Sequence, residues 1–376
     1  TVNIPSTPFT GTFDGSFHTI SNLVINKPTG NFLGLFSAVS SSSSVRNIGL
    51  IGANVNGNAV VGGLVGYNAG TVSSSYADTG SVSGGSYANN IFGGLVGYNG
   101  GTVSSSYATV AVTGGSGAVA VSGLVGLNRT GTVSNSYAAG IVNGSSVVGL
   151  TSEGTVTNSY WDTAKTPQAG SGIGLTTTQM TQSASFSGWD IAQAGGSSAV
   201  WRIYEGNTAP LLRSFLTPLT ITAANDSKTY SGVAYSGGNG VTYSVTGAGP
   251  SPNLLGTLVY SGSSQGAVNA GSYSITPSGH YSNQQGYDIS FANGALTINV
   301  AALSPPPPPP TMPPPTLDGC TADPTLAGCT TVLPTLATCT TTPTAPGCTA
   351  VLPTLATCTT TPTAPGCVAI LPPLAD

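Results

Sequence analysis

One block of residues recurs in the first half of this chain at an interval too long for a coiled coil and too short for a domain. Gly63-Leu64-Val65-Gly66-Tyr67-Asn68 returns as Gly94 to Asn99 and again as Gly123-Leu124-Val125-Gly126-Leu127-Asn128, at offsets of 31 and 29 residues. Behind each copy stands a second block, Gly70-Thr71-Val72-Ser73-Ser74-Ser75-Tyr76, repeated at Gly101 to Tyr107, Gly131 to Tyr137 and Gly154 to Tyr160. Periods of roughly 20 to 50 residues mark solenoids, propellers or arrays, and short alternations bounded by glycine favour strands over helices. Each unit carries too little apolar surface to fold alone, so it must stack on its neighbour, and strands stacked along one axis pair in parallel. A parallel β-coil is the fold this spacing predicts.

Within each unit, Val72, Ser74 and Tyr76 are expected on one face by the two-residue period of a strand. That face is expected to point inward, with Tyr76, Tyr107 and Tyr137 aligned as a buried aromatic stack. The functional alternative is an exposed ladder of rings that holds sugars. Asn68, Asn99 and Asn128 each close a copy, where stacked amides can satisfy turn backbone. The fourth copy departs at Val148-Gly149-Leu150-Thr151, as a terminal repeat would.

Composition narrows the function classes. A hydrophobic share of 39% over 376 residues is enough for a real core, whereas only 5% of residues are charged, against about 25% in ordinary soluble proteins. With 53 glycines, this is the make-up of many tight turns and little helix. The net charge of −4 is spread thinly, so no patch can neutralise a run of phosphates, and nucleic acid and anionic lipid are not expected as partners. No run of about 18 apolar residues occurs. The opening Thr1-Val2-Asn3 reads straight into a β pattern, so any signal peptide is expected upstream.

The two recurring blocks resemble the GLUG repeats of bacterial exoproteins related to filamentous haemagglutinin. Phe9-Thr10-Gly11-Thr12-Phe13-Asp14-Gly15, Ile20-Ser21-Asn22-Leu23 and Gly34-Leu35-Phe36 resemble the first coil that precedes such repeats. This resemblance covers roughly residues 7 to 163. It implies a right-handed parallel β-helix over 1–163 and a role in surface attachment by a two-partner-secretion exoprotein. Trp161, Trp189 and Trp201, with Tyr204, Leu211 and Leu212, mark residues 164–216 as a closing segment packed on the last coil; an aromatic ligand site is the rival reading.

From Leu219 the pattern becomes alternating without a period. Leu219 to Thr222, Val241 to Val245, Thr257 to Tyr260, Ser272 to Ile275 and Ala295 to Ile298 suggest a small antiparallel β-sandwich over 217–300. Lys228-Thr229-Tyr230-Ser231-Gly232, Asn269 to Tyr273 and Gly294 to Ile298 resemble the MBG-type β-domains of bacterial adhesin stalks, which implies a spacer.

Pro305 to Pro310 and Pro313 to Pro315 predict a polyproline II linker over 301–317. All six cysteines follow it, Cys320, Cys329, Cys339, Cys348, Cys358 and Cys367, with gaps of 9, 10, 9, 10 and 9. That regularity implies a disulfide framework in an oxidising compartment, and with His18 and His280 elsewhere a zinc site is not expected. Six cysteines allow 15 connectivities. Turn formers just before alternate cysteines, Ala327-Gly328, Pro346-Gly347 and Pro365-Gly366, favour pairing within each unit of the tail, 318–376. Segments between the loops, such as Val332 to Leu336, read as extended. A C-terminal cysteine loop resembles the knot that tethers some two-partner adhesins in their outer-membrane transporter, which implies that transporter as a partner. Three loops in series depart from a single knot and could instead dock on a neighbouring subunit.

Catalysis on a β-coil needs two or three carboxylates on neighbouring coils. From residue 60 to 160 the ionisable side chains besides tyrosine are Asp78, Arg129 and Glu153, with Asp78 and Glu153 in different kinds of segment. Asp14 reads as a turn residue, and His18, beside Phe17 and Ile20, as a packed residue of the first coil. Serine is abundant, yet no Gly-x-Ser-x-Gly elbow appears. No catalytic residue, metal site or cofactor is therefore expected. Sequons at Asn128, Asn143 and Asn225 carry little weight. The leading expectation is a non-catalytic adhesin or stalk on the bacterial outer-membrane surface, with glycans or host-surface receptors as partners. A self-associating filament subunit is the alternative, and a polysaccharide-active enzyme the third.

Overall fold

A computed structural model describes residues 7–166, 168–245, 252–301, 306–307, 313–361 and 363–367. It divides into two units, Thr1–Ala301 and Ala302–Asp376. The first begins as a parallel β-solenoid. One of its sheets stacks Phe32–Leu33, Val60–Gly62, Asn90–Gly93, Ala118–Ser122 and Val147–Val148, five strands for five turns. A second stacks Phe36–Val39, Val65–Asn68, Val96–Asn99 and Val125–Leu127. The largest holds both halves of the recurring second block, with Thr71–Ser73 on Thr102–Ser104 on Thr132–Ser134 and Tyr76–Gly84 beside Tyr107–Ala108. Equivalent residues lie in register on successive turns, so the interior is built of columns. Val45, Val72, Val103 and Val133 form one, and Leu64, Leu95, Leu124 and Leu150 another. Each such side chain contributes about 1.5–3 kcal/mol by leaving water. Trp161, in register with Ala138, fills this interior at the last turn.

The tyrosines do not share that interior, and here the expected common face of Val72, Ser74 and Tyr76 fails. Ser74, Ser105, Asn135 and Asn158 all have a positive φ of 44° to 46°. A left-handed residue at the same place in every turn makes a corner and resets the alternation, so Val72 points in and Tyr76 points out. The corner is held by a column of buried serines. Ser106, Ser136 and Ser159 each accept a hydrogen bond from the backbone N–H of the equivalent serine one turn earlier and donate to the carbonyl two residues before them.

Residues 164–216 depart from a cap confined to the last coil. They run back along the solenoid's flank, so that Phe186 meets Tyr160, Trp201 meets Tyr107, and Phe215 reaches Tyr76 and Phe17. An outward row of tyrosines is a long apolar strip, and only a segment laid lengthwise can cover it.

The second β-region is a two-sheet arrangement of mixed rather than antiparallel pairing. Thr217–Ala223 pairs antiparallel with Val241–Val245 and parallel with Tyr287–Ala292. In the other sheet Asp226–Thr229 pairs parallel with Gly294–Asn299, which pairs antiparallel with Gly271–Ser282. The reason is topological: two adjacent strands cross together from one sheet to the other, at 224–225 and at 293, so they run the same way in both.

In the unit Ala302–Asp376, most of Pro305 to Pro310 lies outside the described residues. The tail carries short helices, Leu317–Ala322, Cys329–Val332, Leu336–Thr341, Cys348–Val351 and Leu355–Thr360, and the backbone between them is extended at Leu333 and Thr335 and again at Leu352 and Thr354. Thr316, Thr335 and Thr354 cap three of them by accepting from the N–H three residues on. Cys320 is joined to Cys329, Cys339 to Cys348 and Cys358 to Cys367, all six buried. Gly347, at φ 87°, lets Leu317 and Pro334 of the preceding unit approach within 3.0 Å of where a Cβ would stand. Helices this short are marginal in water, and each closed loop of about ten residues is worth near 3 kcal/mol in the chain-entropy model. Reduction is therefore expected to abolish the helical circular dichroism of the tail while leaving the β signal of Thr1–Ala301, which holds no cysteine. Non-reducing peptide mapping that joined Cys329 to Cys339 would contradict the pairing.

Candidate functional site

The tyrosine column is the largest aromatic feature of the molecule. Tyr76, Tyr107 and Tyr137 stack with centroids 5.0 and 4.9 Å apart and planes within 3°. Below Tyr76 the rung is Gly49, where a Cβ would meet the ring at 2.4 Å. The column is closed by Trp189, Trp201, Phe186 and Phe215, so it offers no open platform for sugars. Tyr107 donates to Gln284 Oε1, Tyr137 to the Pro210 carbonyl and Tyr160 to the Ser187 carbonyl. The Tyr76 hydroxyl is buried and lacks an aligned hydrogen bond, although Gln285 stands beside it.

Burial pushes the Tyr107 and Tyr137 phenols well above their ordinary value, and Asp78 pushes the same way. The folded state therefore keeps protons that the unfolded chain loses near pH 10. Stability from these groups is complete below about pH 10 and falls as pH rises beyond it. Alkaline titration followed by tyrosinate absorbance is expected to show the buried column ionising together with unfolding, well above the ordinary phenol range.

The asparagines form a second column. Asn68 Nδ2 donates to Asn99 Oδ1 at 2.8 Å, Asn99 Nδ2 to Asn128 Oδ1 at 2.7 Å, and the first two also to the carbonyls of Gly70 and Gly101. All three are fully buried, which removes the Asn128 sequon from glycosylation in the folded protein.

Solenoid, flank and β-region meet at Gln284 and Gln285. Gln284 accepts from the N–H of Leu212 at 2.8 Å and donates to its carbonyl at 2.9 Å, while Gln285 Nε2 donates to Asp78 at 3.0 Å. Beside them lies a cavity of about 210 Å³ lined by Phe17, His18, Tyr76, Phe215, Gln284 and Gln285. Phe17 and His18 reach it from a bulge in Thr12–Ser21, where the register shifts between Asp14 and His18 and both Ser16 and Phe17 have positive φ, 50° and 62°. Asp14 holds the bulge by accepting from the Ser16 N–H, from Asn47 and from Arg46. The Ser16 hydrogen bond first, then Asn47 and Arg46, keep its carboxyl below the usual range. His18 is thus exposed rather than packed in the first coil, because the bulge turns it outward.

Flank and β-region are also locked by charge. Arg202 Nε stands 3.2 Å from Asp288 Oδ1, both side chains 3% exposed, and Arg213 Nη1 donates to Asp288 Oδ2 at 3.1 Å. Tyr204 stacks under Arg202 and donates to the Tyr287 carbonyl, its phenol pushed up to about 12 chiefly by burial.

The acidic side chains are dispersed. Asp78 is engaged by Thr109 and Gln285, Asp162 by Thr177 and the Ala164 N–H, and Glu153 lies exposed near the last turn. Among the described residues no group of three His, Cys, Asp or Glu could hold a metal ion, and no helix is long and apolar enough to cross a membrane. Sequence reading missed the serine column, although its invariant place before each tyrosine was a signal. It also missed Gln284, Gln285, Arg202 and Asp288, for which no local signal existed.

No model of a protein family matches the chain, and no solved structure matches it. Halomucin of Haloquadratum walsbyi (strain DSM 16790 / HBSQ001) is 39% identical over 70 residues, which is 19% of this chain and 1% of halomucin. The matched stretch is thus a small part of either protein.

Proposed function

We propose that this chain is a non-catalytic stalk segment of a secreted surface protein, attaching a cell to surfaces, to a host or to neighbouring cells. The observation that carries the reading is the combination of a stacked β-solenoid with three disulfide-closed modules in one chain. Such disulfides persist in oxidising surroundings outside the cytosol, and the partial likeness to halomucin, a mucin by name, points to the same compartment. The GLUG-like and MBG-like resemblances, secretion through a partner transporter and tethering by the tail belong to this proposal.

The reading expects no turnover, and the separate engagement of Asp14, Asp78 and Asp162 supports it. Purified chain is expected to bind cells or a mucin-coated surface and to release no sugar from polysaccharides. Release of reducing ends that vanished in Asp78→Asn or His18→Gln would overturn it. Ordered fibres formed by the purified chain alone would favour a filament subunit instead. In cells, deletion from Asp318 onward is expected to move the protein from the surface into the medium.

A further inference from the structure

We propose that the cavity between Phe17, Tyr76, Phe215 and Gln285 is a binding site for one neutral pyranose ring. The proposal deepens the attachment reading and rests on it only for the source of the sugar. At about 210 Å³ the cavity is smaller than the ~300–1,000 Å³ of sites that enclose drug-sized molecules, so it has room for one ring and not for a peptide.

Its lining selects the ligand. No Lys, Arg, Asp or Glu lines it, so no permanently charged side chain is there to pair an ion, and His18 offers ring nitrogens that can hydrogen-bond a hydroxyl. Asp78, which Gln285 reaches, is already engaged by Thr109 as well, and Asp14 by Ser16, Arg46 and Asn47. What remains is a mixture of aromatic surface and uncharged hydrogen-bonding groups. The surface the cavity exposes is mostly polar, and Phe17, 42% exposed and edge-on to Phe215 at 5.5 Å, adds a small apolar edge for a C–H group of a sugar. Gln285, exposed at the edge of the cavity, presents an uncharged amide that can exchange hydrogen bonds with a ligand hydroxyl.

Two independent features mark this cavity as built for an occupant. The Tyr76 hydroxyl is the one member of the stacked column without an aligned hydrogen bond, and Tyr76 lines this cavity. Buried polar groups find partners almost without exception. Gln285 beside it is exposed, so a turn of that side chain admits a ligand hydroxyl to the phenol. The second feature is the bulge. Two successive non-glycine residues held at positive φ are costly, and Asp14, Arg46 and Asn47 are committed to keeping them there. The result of that outlay is Phe17 and His18 placed over the cavity mouth.

The test is saturation-transfer NMR on the full chain with D-glucose, D-galactose, D-mannose and N-acetyl-D-glucosamine, followed by titration of the best binder. Transfer is expected from at least one. Tyr76→Phe keeps the ring stack and is expected to leave the urea midpoint unchanged while weakening binding about tenfold. Phe17→Ala, at an exposed position, is expected to weaken binding by a similar factor without unfolding the chain. No transfer from any of the sugars, or affinities unchanged in both variants, would overturn the site. A chain that coats cells yet shows no transfer would refute this site and leave the attachment reading standing.

Discussion

Replacing Tyr107 by alanine is expected to destabilise the unit Thr1–Ala301 by about 3–5 kcal/mol, the usual cost of emptying a large aromatic site in a packed core. The ring is sandwiched between Tyr76 and Tyr137 and lies against Trp201. No neighbour can collapse into the gap, because each rung is fixed by parallel backbone pairing on the turns above and below. The hydroxyl adds a smaller amount: Tyr107→Phe frees one hydrogen bond to Gln284, which keeps its two bonds to Leu212, and should cost only about 0.5–1.5 kcal/mol. Urea unfolding read by tryptophan fluorescence reports directly, since Trp189 and Trp201 rest on the column. An unchanged midpoint for Tyr107→Ala would show that the column is not the support of this flank.

Asp288→Ala is expected to cost about 3–5 kcal/mol, because it leaves Arg202 buried with no counter-charge. Arg202 does keep hydrogen bonds from Nη1 to the carbonyls of Ala192 and Ile203 and its contact with the Tyr204 ring, but these do not neutralise it. The damage should be local. Hydrogen exchange is expected to accelerate in residues 190–216 and 284–292, while the interior columns of the solenoid stay protected. Arg213→Ala is the control: that side chain is 24% exposed, and its loss leaves Asp288 still paired with Arg202, so the effect should be clearly smaller. Equal effects for the two variants would argue against a buried charge as the cause.

These expectations rest on contacts of unequal legibility. The columns of Val72, Leu64, Asn68 and Tyr76 are written in the period of the chain, since equal spacing puts equal residues in register wherever strands stack. Which side of the wall a column occupies was less legible. The two-residue alternation placed Val72 and Tyr76 together, and one left-handed residue at Ser74 parted them. Dihedral choice at a serine carries almost no sequence signature, and the Asn at positions 135 and 158 was the single hint, Asn being tolerant of that region. The threonine caps of the tail were present in Thr335-Leu336 and Thr354-Leu355 but were masked by a composition that argues against helix.

The cavity at Gln284 and Gln285 had no such trace. Residues 17, 76, 215 and 285 come from four distant segments, and their meeting follows from the flank lying lengthwise on the tyrosines and the β-region closing over its end. Local chemistry and periodicity are short-range information, so by itself the sequence determined a stacked parallel coil, its interior columns and a cysteine-closed tail. The direction of the flank, the outward face of the tyrosines and the burial of Asp288 between two arginines depend on how large surfaces exclude water together. Only the tertiary structure could decide these, because no single residue prefers them until its distant partners are in place.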